Sequence, residues 1–163
     1  WSILRDGLRE SGMLMLIMGT SILFGYMMSS LQVTQSVAQA IGEMHANRWL
    51  ILAAVNLLLL VAGMFLPPAA IILMTTPILM PVITAAGFDP IWFGVVLTIN
   101  MELGLITPPV GLNLFVINGI TPDVRLPTIL KGAFPFMLCM VVAILILCVV
   151  PEIATWLPKA LMG

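Results

Sequence analysis

The sequence predicts an all-α integral membrane protein, and three observations support this fold class. Hydrophobic residues make up 61% of the 163-residue chain and charged residues only 8%, whereas soluble globular chains average about 25% charged residues. The apolar segments have close to the ~20 residues that a helix needs to cross a bilayer. They also lack the alternation of polar and apolar residues that is typical of a membrane β-barrel.

In the first 66 residues we expect interfacial helices and two spanning helices, out of about four spans in the whole chain. Residues 1–10 mix charged and apolar side chains, which is typical of an amphipathic helix at the membrane surface. Residues 13–31 form the predicted first span, and residues 32–47, with His45, a polar interfacial segment. Residues 48–66 form the predicted second span, in which Asn56 is expected to bond to a neighbouring helix.

Residues 67–120 are predicted to contain a re-entrant hairpin and a broken helix, and to form the region of a transport site. Four prolines interrupt the apolar residues 67–84, a stretch too short for two spans and too broken for one straight span. We therefore expect two short helices that enter and leave the membrane on the same side, with a single kinked span as the alternative. Asp89 is expected to cap the helix that begins at Pro90.

The broken helix is predicted to comprise residues 91–103 and 112–120. Pro108 and Pro109 have no N–H group, so the helix cannot continue through them. Gly104 and Gly111 allow the freed backbone conformations that are closed to other residues. At membrane depth such a backbone is tolerated only where it is buried in protein or lines a cavity.

Residues 121–163 are predicted to form a polar connection (residues 121–131), the last span (132–150) and an amphipathic tail. With these spans, Arg5, Arg9 and Lys159 share one side of the membrane, and Arg48, Arg125 and Lys131 share the other. The positive-inside rule compares the numbers of Lys and Arg residues on the two sides, which are three and three here. Because they are equal, charge alone does not orient the predicted chain.

Two proline-interrupted apolar segments in one chain are the best sequence indication of a transporter binding site. A half-helix amino terminus suits a carboxylate, and a half-helix carboxyl terminus offers carbonyl groups to sodium. Thr107, Thr75 and Thr76 can add hydroxyl groups, and Asn113 an amide. The alternative is that the prolines only kink the helices and that the hydroxyl groups satisfy the freed carbonyls.

Glu102 is the one acidic residue within an otherwise uncharged helix. A carboxylate inside a membrane is a candidate functional group. The alternative is a buried structural glutamate that bonds to the backbone of the break. The sequence contains no paired carboxylates, no nucleophile beside a base and no phosphate-binding loop, so it does not predict an enzyme. The net charge of −1 gives no basic field for a nucleic acid.

The residues from Asn100 to Phe115, N-x-E-x-G-L-I-T-P-P-V-G-L-N-L-F, resemble the large membrane subunit of tripartite ATP-independent periplasmic (TRAP) transporters, the DctM-like permeases. Supporting pieces are Gly-Met-Phe at 63–65, Gly-Phe-Asp-Pro at 87–90 and Phe-Pro-Phe at 134–136. The resemblance covers essentially the whole chain, as the carboxyl-terminal half of such a subunit. The family often has an acidic residue at the hairpin entry, where this chain has Pro67.

The resemblance implies the second of two inverted repeats of an elevator-type ion transporter, in the bacterial inner membrane. The hairpin would open on the periplasmic side, with Arg125 and Lys131 in the cytoplasm. The function would be sodium symport of an organic acid, either a C4-dicarboxylate or a sialic-acid-like compound. The implied partners are the missing first repeat, a small membrane subunit, a periplasmic substrate-binding protein and the lipid bilayer.

The resemblance also implies the location of the binding sites. Sodium would lie between the hairpin tip and the break, bound largely by backbone carbonyl groups. Its expected ligands are Gly104, Thr107, Pro108, Pro67, Pro68 and Ala69. The substrate carboxylate would meet Val110, Gly111 and Asn113. From the residues themselves, Glu102, Asn100, Thr75 and Thr76 are the expected supporting residues of the site. The competing interpretation is a structural scaffold fragment with kinked helices and no site of its own.

Overall fold

The computed structural model describes residues 1–33, 35–36, 39–40, 47–121 and 123–162, and this part of the chain is helical with no strand. Residues 41–46, with His45, lie outside it, as does much of the predicted interfacial segment. The elements are α1 (Ser2–Ser30), α2 (Arg48–Gly63), α3 (Pro68–Ala85), α4 (Pro90–Ile106), α5 (Leu112–Ile120), α6 (Leu126–Val149) and α7 (Glu152–Met162).

Helix α4 is the centre of the fold, because it contacts α2, α3, α5, α6 and α7. It begins as predicted: the side chain of Asp89 accepts hydrogen bonds from the backbone N–H groups of Ile91 (2.8 Å) and Trp92 (3.2 Å). Pro90 occupies the first turn, where its missing N–H group costs nothing. Five of its side chains form the middle of the hydrophobic core: Trp92, Phe93, Val96, Leu97 and Met101.

Helices α2 and α4 run side by side in the same direction. Three contacts follow one another along both helices: Trp49 with Phe88, Asn56 with Asn100, and Gly63 with Gly104. Helix α3 connects the end of α2 to the start of α4 and therefore runs in the opposite direction. The turn between α2 and α3 (residues 64–67) consequently lies at the same end of the fold as the carboxyl terminus of α4.

Asn56 and Asn100 form a polar link between α2 and α4. The Nδ2 group of Asn100 donates to the backbone oxygen (2.9 Å) and to the Oδ1 (3.0 Å) of Asn56. The Nδ2 group of Asn56 donates in turn to the Leu52 carbonyl (2.9 Å). The prediction that Asn56 bonds to a neighbouring helix is confirmed.

The Trp92 side chain provides a hydrogen-bond donor to a carbonyl group at the end of α6. The Leu147 carbonyl would normally accept from residue 151, but Pro151 has no N–H group. The buried Trp92 Nε1–H donates to this carbonyl instead (2.8 Å). The Trp92 ring also stacks on Phe88, at 5.2 Å between ring centroids, and the Arg48 guanidinium lies 5.7 Å from the Phe88 centroid. The starts of α2 and α4 and the end of α6 therefore share one end of the fold.

The amino-terminal prediction of a separate surface helix followed by a span is wrong. Residues 2–30 form one continuous helix of 29 residues, which contacts α3. The segment contains no proline, and Gly12 alone weakens a helix by only about 1 kcal/mol. The helix therefore continues past Gly12 into the apolar residues that follow it.

The prediction of a re-entrant hairpin within residues 67–84 is also wrong, because one helix spans Pro68–Ala85 with Pro77 and Pro81 inside it. The Thr75 hydroxyl donates to the Ile71 carbonyl (2.8 Å) and the Thr76 hydroxyl to the Ile72 carbonyl (2.5 Å). Such hydroxyl groups stabilise the backbone near prolines in apolar helices. The chain reverses instead at residues 64–67, so α2 and α3 are the two arms of a hairpin.

Three helices of the described part have the length and composition to cross a membrane, rather than the predicted four: Ile3–Ser30, Pro68–Ala85 and Leu126–Val149. The predicted second span is shorter than expected, because α2 ends at Gly63 after 16 residues. At 1.5 Å per residue it covers about 24 Å, less than the ~30 Å of a bilayer core. The broken helix is confirmed as α4 and α5. The helix of the predicted last span, α6, begins six residues before the predicted residue 132.

We predict that Trp92→Phe destabilises the folded protein by about 1–3 kcal/mol, because the Leu147 carbonyl then lacks a donor in a buried position. The matched control is Trp156→Phe, since the Trp156 side chain is 69% exposed. Thermal unfolding of the full-length protein in detergent measures both. Equal midpoints for the two variants would show that the indole bond contributes nothing.

Candidate functional site

The backbone between α4 and α5 leaves the helical conformation at residues 107–111, here called the α4–α5 break. Thr107 is the carboxyl-terminal cap of α4, with an extended backbone (φ −94°, ψ 131°). Gly111 is the amino-terminal cap of α5, in the left-handed region (φ +57°). Residues with a side chain rarely adopt that backbone conformation, so a glycine suits this position.

The two prolines of the break free carbonyl groups at the end of α4. In a continuous helix the carbonyl groups of Gly104 and Leu105 would accept hydrogen bonds from the N–H groups of residues 108 and 109. Both of these residues are prolines and have no N–H group. The Gly104 carbonyl accepts a bond from the Thr107 N–H group instead (3.2 Å). The Thr107 hydroxyl donates to the Leu103 carbonyl (2.5 Å), which leaves the hydroxyl oxygen lone pairs for other partners.

The carbonyl oxygens of Leu105 and Thr107 and a methyl group of Leu114 all lie close to Gly111. A Cβ atom on Gly111 would lie 3.0 Å from the Thr107 oxygen and 3.2 Å from the Leu105 oxygen. Two backbone oxygens of the break therefore lie near one point beside Gly111, where the Leu114 methyl group is closer still, at 2.8 Å from the Cβ position. A hard cation such as sodium prefers oxygen ligands of this kind, so the donor set fits the predicted ion.

The carboxyl-terminal ends of α2 and α4 meet at Gly63 and Gly104. A Cβ atom on Gly104 would lie 2.9 Å from the carbonyl carbon and the Cα atom of Gly63, and 3.2 Å from its oxygen. Both glycines are buried. Two helix ends that carry partial negative charge are thus in backbone contact.

The amino-terminal ends of α3 and α5 lie next to these two ends along the chain. Helix α3 begins at Pro68 after the α2–α3 turn, and α5 begins at Leu112 after the break. The predicted sodium ligands Pro67, Pro68 and Ala69 are therefore at a helix amino terminus, where the helix dipole favours an anion over a cation. Val110 is half-buried just before the amino terminus of α5, and Asn113 is exposed in the first turn of α5.

The supporting residues do not all lie at the break. Asn100 is 2% exposed and is bonded to Asn56. It therefore joins α2 to α4 about one helical turn before the contact of Gly63 with Gly104. Thr75 and Thr76 lie seven and eight residues after the start of α3, roughly 11 Å along its axis. Their hydroxyl groups donate to the Ile71 and Ile72 carbonyls of α3 itself, which are not the carbonyls that Pro77 and Pro81 leave without a donor.

Glu102 does not lie where the structural interpretation placed it. Its neighbours Met101 and Leu103 are buried, but Glu102 is exposed on the opposite face of α4. Within the described residues it has no hydrogen-bonding partner. The alternative interpretation, a buried glutamate bonded to the break, is therefore wrong, because residue 102 lies on the exposed face of the helix. A functional role of this carboxylate stays a prediction.

Two residues of this region were missed from the sequence, Gly63 and Leu105. The signal for Leu105 is Pro109, four residues later, which removes the donor for its carbonyl. Gly63 lies four residues before Pro67 and is the only glycine near the end of the apolar segment that the Pro-Pro pair terminates, which is the one local signal for it. Within the described part of the chain, no three His, Cys, Asp or Glu residues come together to hold a metal, so backbone and hydroxyl oxygens are the available ligands.

Comparison with known proteins identifies the family. Residues 1–153 match the family described as the tripartite ATP-independent periplasmic transporter, DctM component. The chain is 40% identical over 156 residues to the C4-dicarboxylate TRAP transporter large permease protein DctM of Pseudomonas aeruginosa, and covers 36% of that relative.

Two further relatives carry other substrate names. The Isethionate TRAP transporter permease protein DctMQ of Oleidesulfovibrio alaskensis is 35% identical over 88% of this chain and 22% of its own length. The sialic acid TRAP transporter large permease protein SiaM of Vibrio cholerae is 31% identical over 91% of this chain and 34% of its own length. The chain thus spans about a third or less of the length of these relatives. On the match that covers almost all its residues, this chain belongs to the DctM family of TRAP transporter permeases, which are transporters and not enzymes.

Proposed function

We propose that this chain is part of a sodium-coupled secondary transporter that imports an organic acid by an elevator mechanism. The observation that carries the proposal is the meeting of two helix carboxyl termini at Gly63 and Gly104, with two helix amino termini directly after them. Such an arrangement puts carbonyl groups and N–H groups at one depth in the fold. The first suit a cation and the second suit a carboxylate.

The ion would be held on the α4 side of this region. The Leu105 and Thr107 carbonyls and the Thr107 hydroxyl would bind sodium beside Gly111. The Gly104 backbone would support them through its bond with Thr107. Pro67, Pro68 and Ala69 would instead lie toward the substrate, because α3 presents its amino terminus there.

The substrate would be an organic anion, a C4-dicarboxylate or a sialic-acid-like compound. The relatives are named for C4-dicarboxylates, isethionate and sialic acid, all of which carry an acidic group. Its carboxylate would meet the amino terminus of α5 near Val110, Gly111 and Asn113. The rest of the pocket would come from the remainder of the polypeptide, and a small membrane subunit and a periplasmic binding protein would complete the assembly.

The path of the chain also supports an orientation in the inner membrane. Met74 and Pro77 of α3 lie near residues 17–24 and Gly25 of α1, in the same order, so α1 and α3 run in the same direction. The amino terminus of α1 then lies at the end opposite the Arg48 and Trp92 cluster. The cationic side chains divide four to two: Arg5, Arg9, Arg125 and Lys131 against Arg48 and Lys159. The positive-inside rule places the four in the cytoplasm.

We predict that Thr107→Val in the full-length protein weakens sodium-dependent stabilisation. The thermal unfolding midpoint should rise with sodium and not with potassium, and the half-saturating sodium concentration should increase about tenfold in the variant, which corresponds to ~1.4 kcal/mol. Thr107→Ser retains the hydroxyl group and should behave like the unchanged protein.

The matched control for this experiment is Thr121→Val. The Thr121 hydroxyl also donates to the carbonyl four residues earlier (2.6 Å to Ile117), but Thr121 lies at the far end of α5. If Thr107→Val and Thr121→Val leave the sodium response equally unchanged, Thr107 is not a ligand. If neither the unchanged protein nor any variant responds to sodium, the scaffold interpretation is favoured.

We predict that Gly104→Ala lowers both stability and sodium-driven uptake, because its Cβ would meet the Gly63 backbone at 2.9 Å and overpacking costs about 1–3 kcal/mol. Gly132→Ala is the control, since nothing lies within 4 Å of a Cβ on Gly132. Uptake of labelled substrate and thermal unfolding are both measured. Equal effects of the two substitutions would contradict the close contact between α2 and α4.

The orientation is tested with single cysteines at the two ends, Lys131→Cys and Lys159→Cys, after Cys139 and Cys148 are replaced by serine. An impermeant maleimide should label residue 159 in cells with a permeabilised outer membrane, and residue 131 only after the inner membrane is opened. The reverse labelling pattern would overturn the proposed orientation.

A further inference from the structure

Helix α4 has one open face, although five other helices contact it. Gly94, Thr98 and Glu102 follow one another at intervals of four residues, so they lie along one side of the helix. Thr98 and Glu102 are exposed, and a Cβ on Gly94 would meet nothing within 4 Å. We call these three residues the α4 open face.

The α4 open face has the wrong chemistry for contact with lipid. Glu102 lies 13 residues after Asp89, which caps α4 at the end of the fold where Arg48 lies. This spacing is about 20 Å along the helix axis. A charged side chain at that depth in hydrocarbon costs about 3 kcal/mol on insertion scales. The exposed side chains of α6 are different, since Phe134, Phe136, Leu138 and Val142 are all apolar and suit lipid.

The same face has the chemistry for contact with another helix. Small residues four positions apart, here Gly94 and Thr98, let two helices approach closely in a membrane. The Thr98 hydroxyl already donates to the Gly94 carbonyl (2.9 Å), so it adds no unsatisfied donor to the contact. Glu102, one turn further along, then requires a hydrogen-bond donor or a cation from the neighbour.

We propose that the α4 open face packs against another part of the same polypeptide, and that this part supplies a donor or a cation to Glu102. The length of the family members supports this occupant, because this chain covers only 36% of the Pseudomonas relative. The inference rests on family membership and is independent of sodium binding.

Substitutions in the full-length protein distinguish this contact from exposure to lipid by the sign of their effect. Glu102→Leu should lower the thermal unfolding midpoint by roughly 5 °C if a donor loses its partner. In a lipid-facing position the same change removes a carboxylate from hydrocarbon and should raise the midpoint. Gly94→Leu should lower the midpoint, whereas Gly132→Leu on α6, which also has open space around it, should not.

Cross-linking identifies the occupant and does not depend on transport. The photoreactive residue benzoylphenylalanine replaces Thr98 in one variant and Leu138, which is 57% exposed on α6, in the control. The probe at position 98 should attach to peptides of the same polypeptide outside these 163 residues, and the probe at position 138 to lipid. Attachment of the probe at position 98 only to lipid, to the small subunit or to a second copy would overturn the proposal. If the Gly94→Leu variant does not accumulate in cells, the cross-linking from position 98 and the direction of the midpoint change in Glu102→Leu test the proposal without it.

Discussion

The backbone contact between Gly63 and Gly104 is the constraint on which the arrangement of this region depends. A side chain at residue 104 would keep α2 and α4 apart, because a Cβ on Gly104 would lie 2.9 Å from the Gly63 backbone, whereas a Cβ on Gly63 would be at an ordinary contact distance of 3.4 Å from Gly104. The contact places the α2–α3 turn beside the α4–α5 break. It also fixes the direction in which α3 and α5 leave, and so brings four helix ends together at one level of the fold.

The remaining contacts hold α4 in register with its neighbours. Asn100 bonds to Asn56 on α2, and Trp92 bonds to the Leu147 carbonyl of α6, which Pro151 leaves without a backbone donor. Each bond satisfies a buried polar group, so a shift of one residue along either helix would leave it unpaired. The apolar core between these two bonds supplies most of the packing, and the bonds specify which residues face each other.

The sequence predicted the break well and the hairpin badly, for a physical reason in each case. At residues 108 and 109 two adjacent prolines remove two donors in succession, and no hydroxyl group restores the helix beyond Thr107. At residues 77 and 81 the prolines are four residues apart, so each removes a single donor, from the carbonyls of Leu73 and Pro77, and the helix continues past these single gaps. The contact of Gly63 with Gly104 depends on residues 41 positions apart, which no local pattern encodes. The sequence left two interpretations of Glu102 open, and its exposed face on α4 excludes the buried one.

The parallel course of α2 and α4 has a thermodynamic consequence. Two parallel dipoles whose negative ends touch repel each other, so the Gly63 to Gly104 contact opposes part of the packing energy that holds the helices together. A cation at the α4–α5 break, beside the carboxyl terminus of α4, would reduce that repulsion. Any ion that binds there would then tighten the hairpin against α4, and by linkage a tighter hairpin would bind the ion more strongly.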